Sequence, residues 1–259
     1  MSIKVFINTH KDYEFPLHDD YIPLHVGSSL SSLKLPIQRD DNGKNISDKN
    51  GEFCELTGIF WAWKNTDYEY YGFCHYRRYF YLNDAPLVLK DSIIANPESL
   101  KEKFKNYSIL LPKKRNYFIE SIRSHYINAH HEDDLRLIES IIKKKFKDYA
   151  YSYEKVMSGT TISLFNMFVM KKTDFHNYCE WLFKILDIFE LERKNQNDYE
   201  DYQKRVFGFL SERLLNVWVL KNFSENDILY LKVSNLEGEN LILKGYDLLK
   251  RKFLGFKKL

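Results

Sequence analysis

Apolar residues recur along this chain in two rhythms. Short runs rich in β-branched and aromatic residues predict strands over Lys4–Asn8, Ile22–Val26, Tyr70–Cys74, Ser108–Leu111 and Asn166–Met170, each closed by polar residues or proline. Between them the spacing changes to that of helices. Phe53, Leu56, Phe60 and Trp63 mark a helix over Glu52–Lys64 with Asn50 able to cap its start. Leu135, Ile138, Ile142 and Phe146 mark a second, whose Lys143–Lys145 run reads as a solvated face. Phe175, Tyr178, Leu182, Leu186 and Phe189 mark a third, and a further strong helix is expected over Tyr199–Leu220. Strands alternating with helices predict an α/β fold, a mixed and mostly parallel central sheet flanked by helices with a helical C-terminal part. No internal repeat is visible. A single domain over residues 1–222 is expected, followed by an extension over 223–259 whose end, Lys244–Leu259, is basic and amphipathic.

Two stretches break the rhythm. Gly27–Gly51 is polar and rich in Asp, Asn, Ser and Gly, the composition of a functional loop. The strand at Tyr70–Cys74 runs without a spacer into His75, Tyr76, Arg77 and Arg78. In an open α/β sheet ligands gather at the carboxyl ends of strands, so these side chains are placed at the expected binding edge. Thr9, His10 and Lys11 stand likewise at the end of the first strand. Guanidinium groups suit a phosphate-bearing ligand there, because each can hold two oxygens and stays charged at any working pH. A pair of surface arginines on an edge is the plainer alternative.

Composition narrows the choice. With 39 basic and 36 acidic residues among 259, the net charge of +3 is too small for a dedicated nucleic-acid binder. An RNA-binding domain is therefore disfavoured despite aromatic residues interleaved with Arg and Lys. Cys54, Cys74 and Cys179 have neither metal nor redox spacing and read as reduced thiols. The start MSIKVFINTHK lacks the features of a signal peptide and no apolar run is long enough to span a bilayer, so a cytoplasmic protein is expected. The basic tail could lie on the inner face of an anionic membrane, or it could be a plain solvated end. Nineteen Tyr, 19 Phe and four Trp supply rings for the core and for stacking on sugars. Trp61, Trp63 and Trp181 are candidates for the second use, with Asn166 as a polar neighbour of an acceptor.

Carboxylates come next. Asp40 and Asp41, in a loop just before a helix, resemble a metal-binding or base-providing pair, although a solvated turn at Asn42 and Gly43 explains them as well. Arg205, Gly208 and Glu212 lie at i, i+3 and i+7 on one helix face, and apolar neighbours would raise the pKa of Glu212 toward that of a general base. An ion pair with Arg205 or Arg213 is the structural alternative. His130, His131, Asp133 and Asp134 are consecutive or nearly so; adjacent helix positions diverge, so they are not expected to share a metal.

In this order the segments INTHK, LHVG (Leu24–Gly27), QRDDNGKNIS (Gln38–Ser47), CELTGIFWAWKN (Cys54–Asn65), GFCHYRRYF (Gly72–Phe80), LLPKKRNY (Leu110–Tyr117), NMFVM (Asn166–Met170) and RVFGFLSERLLNVW (Arg205–Trp218) resemble a family of bacterial capsule and O-antigen glycosyltransferases, the exopolysaccharide biosynthesis proteins. The resemblance extends to about residue 220. It implies a GT-A-like fold and galactofuranosyl transfer from UDP-galactofuranose onto a saccharide or lipid-linked oligosaccharide, with an inverted, β-linked product. Enzymes of that fold often carry Asp-x-Asp at the end of a central strand to bind Mn or Mg; here the position holds His75, Tyr76 and Arg77. The expectation is that no metal or other cofactor is required and that Arg77, Arg78, Arg205 and the Lys113–Arg115 cluster neutralise the diphosphate. Glu212, or else Asp40, would take the acceptor proton. A non-catalytic nucleotide- or glycan-binding module of the same pathway is the alternative from another class.

Overall fold

The computed structural model describes residues 2–193, 199–200 and 202–238. In chain order, β1 (Ile3–Thr9), β2 (Tyr21–His25) and the short β3 (Gln38–Arg39) precede α1 (Asn50–Phe53) and α2 (Leu56–Asn65). Then β4 (Tyr70–His75) turns into β5 (Arg78–Phe80). The segment that follows holds a small hairpin, β6 (Leu87–Leu89) with β7 (Ser92–Ile94), whose two-residue turn places both Lys90 and Asp91 in the left-handed region. Next come α3 (Pro97–Glu102), β8 (Ile109–Pro112), β9 (Arg115–Asn116), α4 (Ile122–Ala129), α5 (Glu132–Lys145), α6 (Ala150–Ser158), β10 (Thr161–Ile162) and β11 (Phe168–Lys171). The long α7 (Lys172–Glu192), α8 (Val206–Asn222), β12 (Ile228–Leu231) and β13 (Val233–Asn235) complete the described chain.

The main sheet has the order β12-β8-β11-β4-β1-β2-β3, with β5 and β13 branching from β4. Its strands are parallel except that β11 runs against both β4 and β8, and β5 against β4 and β13. This is the mixed, mostly parallel α/β arrangement expected from the alternation of patterns. Both faces of the sheet are covered. Phe6, Phe73, Leu111 and Phe168 point into one core with α2, α5, α7 and α8, whereas Val5, Ile7, Cys74, Leu110 and Val169 point into another with α3 and the hairpin. Alternate side chains of one strand thus enter opposite cores, which is why the strands read as continuous apolar runs.

Three differences from the sequence pattern matter for the site. The helix expected over Glu52–Lys64 is two helices, because Cys54 takes a left-handed conformation with φ of 52° and interrupts it. Asn50 does not cap from outside. It lies in the first turn of α1, and its amide donates across the break to the Cys54 carbonyl at 2.7 Å and the Thr57 hydroxyl at 3.0 Å. The helix expected from Tyr199 begins at Val206, after a 3-10 turn over Gln203–Arg205. Finally, the sheet does not end at residue 222. β12 pairs with β8 and β13 with β5, so residues 228–235 belong to the same sheet as the rest. The basic tail over 244–259 lies outside the described residues.

Candidate active site

β1 and β4 are adjacent and parallel, with Asn8 opposite His75, so their carboxyl ends open at one place. A cleft of about 520 Å³ lies there. Its floor and walls come from Asn8, His10 and Lys11 after β1, His75 through Arg78 after β4, Cys54 and Glu55 at the break between α1 and α2, Phe165 before β11, and Arg205 and Glu212 from α8. The close approach of α2 to the strand ends needs a glycine. A Cβ on Gly58 would sit 2.3 Å from the Asn8 side-chain oxygen and 2.8 Å from Val26.

A turn with two consecutive left-handed residues, Phe165 (φ 75°) and Asn166 (φ 49°), organises the cleft. Neither is glycine, and such conformations persist only where surrounding contacts hold them. The Phe165 carbonyl accepts from His75 Nε2 at 2.7 Å, while the Phe165 N–H donates to Glu212 Oε1 at 2.8 Å. Asn166 Nδ2 donates to Glu55 Oε1 at 2.6 Å and to the Ser211 hydroxyl at 2.9 Å. Since a carbonyl only accepts, the proton of His75 is on Nε2 and its Nδ1 is an acceptor. Burial lowers the pKa of His75 to about 4, with Arg78 and Arg77 adding to the effect over Glu212's opposing pull, so the ring is neutral at pH 7.

Two carboxylates face this cleft. Burial raises the pKa of Glu55 and of Glu212, and each is raised further or held back by its neighbours: Asn166 and Arg205 lower Glu55, while Arg213 lowers Glu212 and Glu55 raises it. Glu212 Oε2 accepts from Arg213 Nη1 at 3.0 Å, so both of its oxygens are engaged. Glu55 accepts through Oε1 from Asn166 and, among the described residues, has no arginine bonded to it as Glu212 has. Around them stand Lys11, Arg77, Arg78 and Arg205. The Arg77 guanidinium bonds the Glu237 carboxylate at 2.8 Å, Arg78 lies 4.3 Å above the Phe165 ring, and Arg205 Nε donates to the Cys54 sulfur at 3.1 Å. His10 has its pKa lowered by desolvation and then by Lys11, Arg205 and Arg77, which reports the positive field of the group. Burial, with Glu55 next, pushes the Cys54 thiol up to about 12, so it is not a thiolate.

Of the residues expected from sequence, His10, Lys11, His75, Tyr76, Arg77, Arg78, Arg205 and Glu212 come together here. Thr9 is adjacent but its hydroxyl is taken by the Lys11 backbone, accepting at 3.1 Å and donating at 2.8 Å. Several others require correction. Asp40 is wholly buried away from the cleft, where it accepts from the Gly27 and Ser28 amides and from the Ser28 and Ser47 hydroxyls. It ties down the loop that sequence composition marked, and cannot meet an acceptor. Asp41 is bound by Arg39, which lowers its pKa. Trp61 is buried with its indole N–H donating to the Asn42 carbonyl at 3.0 Å. Trp63 stacks on Phe183 at 5.7 Å, and Trp181 packs on Tyr149 at 4.6 Å. These rings belong to the apolar framework, not to the cleft. Lys114 also faces elsewhere, toward Glu225 and Tyr230. Asn166 is buried behind the cleft, where it bonds Glu55. His130 bonds Gln203 at 3.0 Å, His131 stacks on Tyr199, and Asp134 pairs with Arg193 and Tyr199, so they serve packing around α5.

Glu55 was missed in the sequence. It sits inside an apparent helix, and only the left-handed Cys54 turns it to the cleft.

The sequence matches a family model described as a domain of unknown function, DUF4422, over residues 4–223. The chain belongs to this family. A solved structure of the same arrangement is the apo form of the WbbM bifunctional glycosyltransferase, with a TM-score of 0.83 and 31% identity. The match covers 93% of this chain and 46% of that one, so this chain spans about half of its length. No curated protein matches. In this DUF4422 chain the central sheet flanked by helices is therefore that of a glycosyltransferase structure.

The end of β4 offers one imidazole, a phenol and a guanidinium, of which only the imidazole is a ligand type for a divalent ion. The position holds His75, Tyr76 and Arg77, and among the described residues no three His, Cys, Asp or Glu side chains converge as ligands. No helix of the described chain is long and apolar enough to cross a membrane.

Proposed function

We propose that this chain is a glycosyltransferase that moves a sugar from a nucleoside-diphosphate donor onto a saccharide acceptor in the synthesis of a bacterial surface polysaccharide. One observation carries the reading: four cationic side chains and two partly buried carboxylates share a cleft at the carboxyl ends of β1 and β4. Its likeness to half of a bifunctional glycosyltransferase supports it. The resemblance of the CELTGIFWAWKN and HYRRYF segments to galactofuranosyltransferases makes UDP-galactofuranose the favoured donor.

In this reading the diphosphate lies against Arg77, Arg78, Arg205 and Lys11, with the base beside His10. The acceptor hydroxyl gives its proton to a carboxylate and its oxygen bonds the anomeric carbon. The bond from that carbon to the β-phosphate oxygen breaks, and its electron pair leaves with UDP. Fixed cations in a partly desolvated cleft stabilise that developing charge. Glu55 is the better base, because Glu212 has both oxygens engaged and an arginine partner. Glu212 positions the Phe165–Asn166 turn instead. Attack from the face opposite the diphosphate gives inversion and a β-linked product.

The test is UDP release from a panel of UDP-sugars with a saccharide acceptor, with and without EDTA. Wild-type turnover should survive EDTA, and Arg77→Ala and Arg78→Ala should each lower kcat/KM by about 10²–10³-fold, the scale of losing one transition-state donor. UDP binding without turnover of any donor would point to a non-catalytic module. Unchanged rates in both arginine variants would remove the diphosphate assignment.

A further inference from the structure

A second cavity lies beside the outer strands of the sheet. β8 runs parallel to β12 and in the same direction as β4, since β11 lies antiparallel to both β4 and β8. The carboxyl ends of β8 and β12 therefore open on the same side as those of β1 and β4. A cavity of about 430 Å³ lies between β8, β12, α6, β10 and the second half of α8, and reaches from Lys114 and Thr161 past the carboxyl end of β8 down to Ser224 and Glu225 before the amino end of β12. That volume is within the ~300–1,000 Å³ of small-ligand sites.

The two openings are joined by shared elements. On α8, Glu212 lines the first and Asn216, one turn later, lines the second; four residues are about 6 Å. Asn216 accepts from the Ser163 amide at 3.0 Å and donates to the Ser163 carbonyl at 2.8 Å and the Glu212 carbonyl at 2.7 Å. Ser163 thus ties Asn216 at the second cavity to Phe165, two residues on, at the first. The lining of the second cavity differs in chemistry. Phe223 and Tyr230 offer rings, and Thr161 and Ser224 offer hydroxyls. Lys114 is 3.2 Å from the Glu225 carboxylate and 4.6 Å above the Tyr230 ring. The lining contains no arginine and two lysines, of which Lys114 is paired with Glu225, so a second diphosphate finds fewer cations than in the first cleft. A neutral polyol with one apolar ring face matches rings set among mixed donors and acceptors.

We propose that this second cavity is the saccharide-acceptor subsite, holding the sugar ring next to the one that presents its hydroxyl to Glu55. The assignment rests on the glycosyltransferase reading for its catalytic meaning, and places the acceptor where the tryptophans do not. It makes the acceptor at least a disaccharide, laid past the Ser163–Phe165 segment.

Saturation-transfer-difference NMR with a tagged β-galactoside disaccharide and the matching monosaccharide tests it without needing turnover. Wild type should saturate both rings of the disaccharide. Thr161→Trp, on an exposed strand position, fills the cavity and should abolish the signal of the outer ring. Tyr230→Ala should weaken the same signal. In transfer assays both variants should raise KM for the disaccharide at least tenfold and leave the monosaccharide's kcat/KM and the donor KM within twofold. Equal saturation in wild type and both variants, or an equal rise in donor KM, overturns the proposal. Should no UDP-sugar turn over while ring-specific saturation persists, the catalytic reading falls and a saccharide site stands at this cavity.

Discussion

Glu55 and Glu212 line one cleft and differ in what their oxygens touch. If Glu55 takes the acceptor proton, Glu55→Gln lowers kcat by two to four orders of magnitude, the usual weight of a general base, with donor KM little changed. Glu212→Gln keeps an oxygen for the Phe165 amide but takes the charge away from buried Arg213, so it should cost less in kcat and more in thermal stability; steady-state kinetics and melting curves of the pair separate the roles. His75 permits a pH prediction. Its folded pKa of about 4 is below the 6.5 of a free imidazole, so the unfolded chain binds the proton first as pH falls. Stability contributed by neutral His75 is full above pH 6.5 and lost on the way down to about 4. The raised carboxylates oppose this, because the folded state takes their protons first. Comparison with His75→Asn isolates the histidine: denaturant titrations between pH 6.5 and 4 should show wild type losing stability relative to the variant, by at most about 1.4 kcal/mol per pH unit.

At the scale of elements, the strands and the long helices were readable because burial imposes their periods. Lys4–Asn8 and Tyr70–Cys74 sit within a residue or two of β1 and β4, and the cations beyond them do line the cleft. The break at Cys54 was not readable. Its left-handed backbone is held by Asn50, four residues before it, and by packing on Gly208, a contact across the chain where an added Cβ would meet the Cys54 sulfur at 3.2 Å. For the same reason Glu55 was hidden and Asp40 misread, since a loop carboxylate bound by four donors looks in sequence like one available to a ligand. α4 and α6 carry too few apolar residues for a helical stripe to stand out. The glycine at 58 gives a direct test of how α2 meets β1. Gly58→Ala pushes a methyl against Asn8 and should destabilise by about 1–3 kcal/mol, with a melting temperature lower by ~2–4 °C per kcal/mol. Donor binding measured by calorimetry should weaken as Asn8 moves.

Over the whole molecule, the sheet is closed on one side by strands that follow the last long helix. Ile228 and Leu231 of β12 are buried, and each such side chain contributes about 1.5–3 kcal/mol. A chain ending at residue 222 would lack them, uncover the apolar surface they pack on and leave the outer edge of β8 unpaired. Such a chain is expected to melt well below the full chain or to aggregate, as scanning calorimetry and size-exclusion chromatography would show; equal melting would mean that residues 228–235 are dispensable.

The left-handed pair at Phe165 and Asn166 links three reactive side chains to one short stretch of backbone. His75, Glu212 and Glu55 each lean on it through a separate hydrogen bond, so none has an independent anchor on that side. Their failures should overlap: once the turn is lost through one replacement, a second at another of the three has little left to remove. Double substitutions would then cost far less than the sum of their parts, and a gradual exchange of these residues one at a time is closed to the fold.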